Sequence, residues 1–521
     1  MSFLANLLEH YHMTTEDLRV RSTPGSFADL RLPDETKDFQ AVVRRLSLAV
    51  ERKEKVVLYG DYDVDGLTST AILKIALSAL GLDVGFFIPS RYVEGYGLHE
   101  SRVKQFHEKG YSLIVLVDNG IRCHESIALA RSLGMEVLVV DHHLCDSTLP
   151  PCSFVFHHRL SGFLDYDCSA ASLCYFVARS LLGKDDEYLA FLAGLAVFSD
   201  CMPLVGNNLV FAKLALLFQN RIHFPNVSFL LPEKASYEDL SFQLIPTLNA
   251  VGRMMQDSMS SNKACWFLIR YQDKVYAHAL SQWMTEINQK RKSIVKSLLP
   301  VEGRTLETEG GTVVLIDAPS GLAGLYANRL LREKGHPVAV LSHAENQEGA
   351  LVGSIRATEG FHLMDFLSSQ KDRLLAFGGH DLACGVTIKE KDYFQFATNF
   401  LSYLEKARLE KKEEHKKDNL PLTLEDLNEE NYHTLEMFEP FGSSFPAPTF
   451  ELTCSTEDIK EGKNYFFVTD EKKLSKAIFF QPFSAVHHAG AELSIFTGSF
   501  HCDDFHGRKS YVLMADRYRE E

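Results

Sequence analysis

The sequence predicts an α/β chain in three parts: a parallel-sheet domain, a smaller α/β domain joined to it by a long helix, and a terminal β-barrel. Three observations carry this. β-branched runs at 56–60 (VVLYG), 112–117 (SLIVLV) and 136–140 (EVLVV) alternate with helix-like stretches at 68–80 and 126–133, the order of a parallel sheet covered on both faces. Residues 274–299 run without Pro or Gly in an amphipathic pattern, as a connecting helix would. From residue 450 the chain turns to short alternating segments rich in Phe and Tyr, punctuated by Gly and Asp, as in a small barrel.

Between the helix and the barrel, TVVLID, LYANRLLREKG and PVAVLS repeat the strand, helix, strand order from residue 311 onward. The charge-dense run 405–418 reads as a solvated helix face running into a linker. A length of 521 residues, at roughly 150 per domain, agrees with about three units. Lys and Arg number 54 against 69 Asp and Glu, a net charge of −15, which excludes a globally basic nucleic-acid coat. It does not exclude a basic groove on an acidic protein. The longest apolar run, 189–198, is about half a membrane span. The start MSFLANLLEHYH lacks a basic leader region. Ten cysteines without a C-x-x-C pair suit neither a zinc ribbon nor a disulfide framework. A cytoplasmic enzyme is the expectation.

The chemistry lies just past the strands. Asp61-Tyr62-Asp63-Val64-Asp65-Gly66 follows the first, Asp118-Asn119-Gly120 the second and Asp141-His142-His143 the third. A single Asp in such a place is usually a turn residue or helix cap. Three such segments deliver carboxylates to one edge, where ligands bind in sheets of this kind. Two carboxylates about 4 Å apart repel by about 4 kcal/mol at an effective dielectric near 20, so a convergent cluster stays ionised only around cations. Carboxylates with imidazole and no thiolate suit Mn2+ or Mg2+. Asp200, after an apolar helical segment, is on spacing alone equally a cap and a fourth acid. Paired cations in such a cluster clamp the oxygens of a phosphoryl displacement, so phosphodiester or phosphoanhydride hydrolysis is the expected reaction class.

The ordered runs YGDYDVDGLTST, VDNG, VVDHH and VFSDCMPL resemble the motifs of the DHH phosphoesterase superfamily, and within it those of the bacterial single-stranded-DNA exonucleases. Residues 88–98 (IPSRYVEGYGL), 248–253 (LNAVGR), 353–357 (GSIRA), 377–385 (FGGHDLACG) and 439–450 (EPFGSSFPAPTF) extend the likeness from about residue 20 onward. The resemblance implies a DHH catalytic domain at 1–260, a connecting helix at 261–303, a DHH-associated substrate domain at 304–419 and an OB-fold at 420–521. It implies two Mn2+ or Mg2+ ions on Asp63, Asp65, Asp118, His142 and Asp200, with Asp118 bridging. Asp61 is either a further ligand or a group that orients one. His143 would donate to the scissile phosphate, and Asp141 would orient an imidazole.

By the same likeness, Ser354 and Arg356 hold a 5′ phosphate, Arg91, Asn249 and Arg253 meet further parts of the strand, and Gly378-Gly379-His380 lets backbone approach it. In the barrel, Phe466, Phe479, Phe496, Phe500 and Tyr511 are candidate stacking rings, with Lys463 and Arg508 near the backbone; for each ring, core is the commoner fate. The implied activity is digestion of single-stranded DNA from its 5′ end to mononucleotides during repair and recombination. A single-stranded-DNA-binding protein and a RecQ-type helicase are the implied partners. Alternatives are a DHH phosphodiesterase acting on short oligoribonucleotides, cyclic dinucleotides or phosphoadenosine phosphate, and a non-catalytic scaffold. The terminal barrel argues against the first and the full set of acids against the second. The chain departs from the family at His157-His158-Arg159, at Ser169-Ala170-Ala171-Ser172, at Phe445 and in the Ser199-Asp200 pair. The pair His487-His488 has no acidic neighbours in sequence and reads as a loop feature.

Overall fold

In a computed structural model of the chain, the residues described are 2–358, 360–410, 419–470, 475–487, 491–505 and 508–521; part of the charge-dense linker, 411–418, and His488 lie outside them. They fall into two compact units, Ser26–Glu414 on the one hand and Met1–Gly25 with His415–Glu521 on the other. Helices α1 (Phe3–His10) and α2 (Thr15–Ser22) belong to the latter.

The larger unit holds two sheets. The first contains β1 (Val56–Tyr59), β2 (Val84–Phe87), β3 (Leu113–Val117), β4 (Glu136–Val140) and β5 (Phe154–Phe156), all parallel, in the order β2-β1-β3-β4-β5. Helices α3 (Lys37–Arg52), α4 (Val64–Ala79), α5 (Glu100–Glu108), α6 (His124–Ser132), α7 (Ala170–Leu182), α8 (Glu187–Ser199) and α9 (Gly206–Ile222) surround it. Alternate strand residues enter different cores. Val56, Leu58, Val115 and Leu138 pack with α3, α4, α7, α8 and α9, whereas Val57, Ile114 and Val139 pack with α5 and α6. Each such aliphatic side chain stabilises the fold by about 1.5–3 kcal/mol, and burial on both faces is why these strands read as unbroken apolar runs. Because β2 and β3 flank β1 on opposite sides, a crevice opens past the carboxyl ends of β1 and β3.

A π-helical turn, Asp239–Leu244, leads into α10 (Ile245–Met254), followed by α11 (Ser258–Ile269) and α12 (Lys274–Ser297). The last is the expected connecting helix, capped by Asp273, whose carboxylate accepts from the Tyr276 amide at 3.0 Å. The second sheet has the order β10-β11-β9-β8-β7-β6, built from β6 (Pro300–Thr308), β7 (Gly311–Ile316), β8 (Val338–His343), β9 (Ala350–Arg356), β10 (Leu374–His380) and β11 (Ala383–Lys389). Only β7 and β8 pair in parallel, across α13 (Ala323–Lys334). That helix covers one face; α14 (Leu363–Ser369) and α15 (Tyr393–Glu410) cover the other.

In the other unit, α1, α2 and α16 (Glu429–Glu436) pack with a seven-stranded sheet of β12 (Leu420–Leu422), β13 (Phe450–Ser455), β14 (Lys460–Glu461), β15 (Phe466–Thr469), β16 (Ser475–Phe479), β17 (Leu493–Phe505) and β18 (Arg508–Glu520). The order β12-β13-β17-β18-β16-β15-β14 is mixed and leaves two edges, so among the described residues the expected barrel is an open sheet. Its β12–β13 and β16–β18 pairs are parallel, where a simple meander would be antiparallel throughout.

A further difference from the expected layout is that residues 1–25 do not join the domain that follows them. Leu7 and Leu18 are buried with Leu422, Phe438 and Phe450. The Tyr11 hydroxyl donates to the Pro446 carbonyl at 2.7 Å, Arg21 Nε donates to the Phe438 carbonyl at 2.6 Å, and the Arg21 guanidinium lies 3.5 Å over the Phe445 ring. Among the described residues no helix is long and apolar enough to cross a membrane. All ten cysteines are free thiols.

Candidate active site

The acids converge at the carboxyl edge of the first sheet. Asp118 follows β3 with φ +60°, a left-handed conformation that side chains other than Gly seldom adopt, and its amide donates to the Val140 carbonyl at 3.0 Å. Asp63 caps α4, its carboxylate accepting from the Gly66 amide at 3.3 Å. Gly66 is required here: a Cβ on it would lie 2.4 Å from the Asp61 amide nitrogen. In the first turn of α4, Asp65 is fully buried. Its two oxygens accept from the Ala170 and Ala171 amides, both at 2.7 Å, at the N-terminus of α7. The Ser-Ala-Ala-Ser departure thus supplies helix-end amides to a carboxylate, with Ser169 as the cap.

Two donor sets share one residue. Asp61, Asp63 and Asp118 offer ligand atoms within 4.8 Å of one another, and so do Asp65, Asp118, His142 and Asp200; a third overlapping set is Asp118, His142 and His143. His142 Nε2 lies 3.2 Å from Asp118 Oδ1, 3.5 Å from Asp65 Oδ2 and 3.7 Å from Asp200 Oδ2. Asp200, the C-cap of α8, therefore does enter the cluster.

The electrostatics test whether cations fit. Burial, then the charges of Asp65, Asp63, Asp200 and Asp61, push the Asp118 carboxyl well above the usual range. Burial and neighbouring acids do the same to Asp61 and Asp200. Burial pushes Asp65 up to about 7 despite its amide bonds. Burial, then the His143 charge, lowers His142 to about 3, so its imidazole is neutral among acids. Asp61 Oδ1, Asp118 Oδ1 and His142 Nε2 are buried without a hydrogen-bond partner. Lone pairs orphaned in this way fit a site built for divalent cations. With four or more oxygens, one imidazole and no thiolate, the donor set suits Mn2+ or Mg2+.

Asp141 has a different task. Its Oδ1 accepts from the amides of His142 and His143, at 2.7 and 3.2 Å, and faces His143 Nδ1 at 2.8 Å; Oδ2 accepts from the Ile121 amide at 3.0 Å. Burial opposes its ionisation, but the bond to His143 outweighs that and holds it well below the usual carboxylate range. Burial likewise opposes the charge on His143, and Asp141 outweighs it, raising the imidazole to about 9. His157 buttresses the same turn: its Nδ1 accepts from the Arg159 amide at 3.2 Å, and its Nε2 donates to the His143 carbonyl at 2.9 Å. His158 and Arg159 both bind Asp167. Of the three, His157 thus holds the DHH turn directly.

Sequence reasoning missed Tyr96, whose hydroxyl is 3.1 Å from His143 Nδ1. It also missed Tyr62, whose ring lies 4.2 Å beneath the Arg91 guanidinium. Both sit inside recognised motifs, but no local signal separates them from core aromatics.

The expected strand-binding residues meet around the turn 320–324. Arg253 Nη1 donates to the Gly321 carbonyl at 3.4 Å, and Tyr92 donates to the Arg253 carbonyl. Three residues on, Gly324 lies against both Ser354 and Arg356. Register does the rest: Gly385 pairs with both Ser354 and Gly378, and Ala383 with both Arg356 and His380. Directly paired residues share a face, so Ser354, Arg356 and His380 project on one side of the sheet. Arg356 is held by Asn328 Oδ1 at 2.9 Å. Gly379, at φ +135°, has no room for a Cβ, which would fall 2.4 Å from the Ala383 carbonyl. Asn249 is half-buried, and its Oδ1 accepts from the Val64 amide at 3.1 Å, which braces the first motif.

In the C-terminal unit, Phe466, Phe496, Phe500 and Tyr511 are buried and Phe479 half-buried. Among the unit's described residues the exposed rings are Tyr465 and Phe480, centroids 6.2 Å apart, with Gly462 against Tyr465. Lys463 is exposed, and the Arg508 side chain lies outside the described residues. His487, expected to be a loop feature without acidic company, faces Glu520 at 2.9 Å.

Comparison with known proteins finds three family models along the chain: the DHH family N-terminal domain at 55–197, the DHHA1 domain at 311–406 and the RecJ OB domain at 419–517. The single-stranded-DNA-specific exonuclease RecJ of Dickeya dadantii is 31% identical over 469 residues, covering 79% of this chain and 77% of that protein. The protein of the same name from Bacillus subtilis is 29% identical over 441 residues, covering 81% of this chain; the chain spans 55% of that relative's length. A crystal structure of RecJ in complex with Mn2+ from Thermus thermophilus shares the fold, with a TM-score of 0.81 and 24% identity over 100% of this chain and 76% of that one.

Proposed function

The chain belongs to the RecJ family of single-stranded-DNA-specific exonucleases, and on that premise we propose that it degrades single-stranded DNA from the 5′ end to mononucleotides, using two divalent ions, Mn2+ or Mg2+. The single observation that carries this reading is Asp118 shared between two donor sets at a rim where buried lone pairs lack partners. Asp61, Asp63 and Asp118 would hold one ion, and Asp65, Asp118, His142 and Asp200 the other. When bound, such ions lower the pKa of water and neutralise charge on the reacting phosphate.

The protein's own groups do the remaining work. Asp141 keeps His143 protonated and fixes its Nδ1–H, leaving Nε2–H to donate to a non-bridging phosphate oxygen or the leaving oxygen. The α7 amides orient Asp65, and Asn249 locks the turn that carries Asp61 and Asp63. Arg91 and Arg253, at the same crevice, suit phosphates by their planar forks. Ser354 and Arg356, with Gly378, Gly379 and His380 across the sheet, would receive the terminal 5′ phosphate and so set polarity.

We assign residues 26–260 to catalysis, 261–303 to the connection, 304–419 to the strand end, and residues 1–25 with 420–521 to strand binding. The free thiols fit a cytoplasmic setting, and a single-stranded-DNA-binding protein and a RecQ-type helicase are partners able to supply the strand. The test is a purified protein with Mn2+ and single strands labelled at either end. Mononucleotides released first from the 5′ label are expected, and digestion from the 3′ end overturns the polarity. Turnover on a dinucleotide exceeding that on a long strand would instead favour a short-oligonucleotide phosphodiesterase.

A further inference from the structure

On the reading above, we propose that Arg291, on the connecting helix α12, is a further strand-binding residue that holds a backbone phosphate beyond the one met by Arg91 and Arg253. The buried stripe of α12 runs Ala277, Ser281, Met284, Asn288, with spacings of four, three and four. The next position of that stripe is 291, where a helix that only packs would carry an apolar residue, and it is an arginine.

A relay fixes it. Thr247 of α10 donates to the Gln243 carbonyl at 2.6 Å and accepts from Asn288 Nδ2 at 2.9 Å, and Asn288 Oδ1 accepts from Arg291 Nε at 3.0 Å. Thr247 and Asn288 are both buried. The two terminal nitrogens of the guanidinium meet no acceptor among the described residues. α10 carries Arg253 six residues after Thr247, so the relay ties Arg291 to the same scaffold.

Charge completes the picture. Among the described residues, none of Arg91, Arg253 and Arg291 has a carboxylate within ion-pair distance, although all three are half-buried. Burial, then the charge of Arg91 and, more weakly, that of Arg291, lower Arg253 to about 10 against the opposing pull of Asp63. Asp61 and Asp63 act on Arg91, at the acidic end. A half-buried guanidinium that meets an acceptor only through its Nε leaves strong donors unused, and the phosphates of a single strand supply such acceptors.

The test uses the full chain and a 5′-phosphorylated oligodeoxythymidylate longer than the roughly 16 nucleotides an OB-fold alone can cover. In EDTA, where the strand is not cut, fluorescence anisotropy of R291A should show about five- to tenfold weaker binding and a log K against log salt slope shallower by about 0.7, the value of one single-strand phosphate contact. R291K should restore the slope. With Mn2+, R291A should raise KM by the same factor and change kcat less than about twofold. If R291A does not fold, R291Q is read in the same way, since it keeps length without charge. Wild-type affinity and slope in R291A or R291Q overturn the proposal, as does weaker binding of either with an unchanged slope. A wild-type protein that neither binds nor digests the strand sinks the functional reading itself, which is a distinguishable result.

Discussion

The carboxyl edge of the first sheet and the C-terminal sheet both present the residue types their tasks demand, yet they declare themselves differently. At the edge, Asp61, Asp118 and His142 keep buried polar atoms without partners, an arrangement too costly to persist without a ligand. In the C-terminal sheet, Phe466, Phe496 and Phe500 are buried, and an aromatic ring is as stable in a core as beneath a base. A polar cluster identifies a site by what it lacks. A ring does so only by its exposure.

The comparison can be broken most sharply at its first term. Asp118→Ala removes the residue common to both donor sets and should lower Mn2+-dependent turnover by roughly 10³-fold or more, while circular dichroism and strand binding in EDTA stay close to wild type. Turnover near wild type would dissolve the assignment. At the second term, Phe466→Ala should cost about 3–5 kcal/mol of the C-terminal unit's stability, read by denaturant unfolding, because that ring is core.

Smaller effects sharpen the contrast. Asp141→Asn keeps the shape but weakens the hold on His143, and a loss of about 10- to 100-fold in activity is expected, with the pH profile of kcat shifted to lower pH. For metal dependence the sign follows from Asp65, raised from 3.8 to about 7. A carboxyl raised by folding contributes stability below its unfolded value that is lost as pH rises through its folded value. The metal-free protein should therefore lose stability between pH 3.8 and about 7, and the Mn2+-induced rise in Tm should grow over the same window. An increment independent of pH would place the ion elsewhere. Least of all, Tyr465→Ala or Phe480→Ala should weaken binding of long strands by about 1–3 kcal/mol per stacked base and leave unfolding unchanged; an equal effect from Phe479→Ala would move the platform to the half-buried ring.

Much of the first sheet was legible because doubly covered parallel strands must be apolar throughout, which makes the acids immediately beyond them conspicuous. Asp200 was not decidable from spacing, since a helix C-cap and a ligand look alike until α8 is packed. The supports were hidden too. The Ala170 and Ala171 amides have no side-chain signature, Asn249 reads as a polar contact until it is seen turned onto Val64, and Tyr96 reaches His143 only after two loops meet. In the C-terminal sheet, period-two alternation divides the rings between two faces without saying which is dry. Nothing near residues 1–25 announces a partner more than 400 positions away, because that pairing is wholly tertiary.

That last pairing has a consequence for biogenesis. Leu7 and Leu18 leave the ribosome before the larger unit, yet the residues that bury them, among them Phe438 and Phe450, are made after the whole of it. At roughly 5–20 residues per second the wait is tens of seconds, during which α1 and α2 have no core to join. The larger unit can complete its own fold meanwhile. The early helices can close only once those residues are made, so a nascent chain stalled before residue 438 would carry α1 and α2 with their apolar faces uncovered, for chaperones to shield.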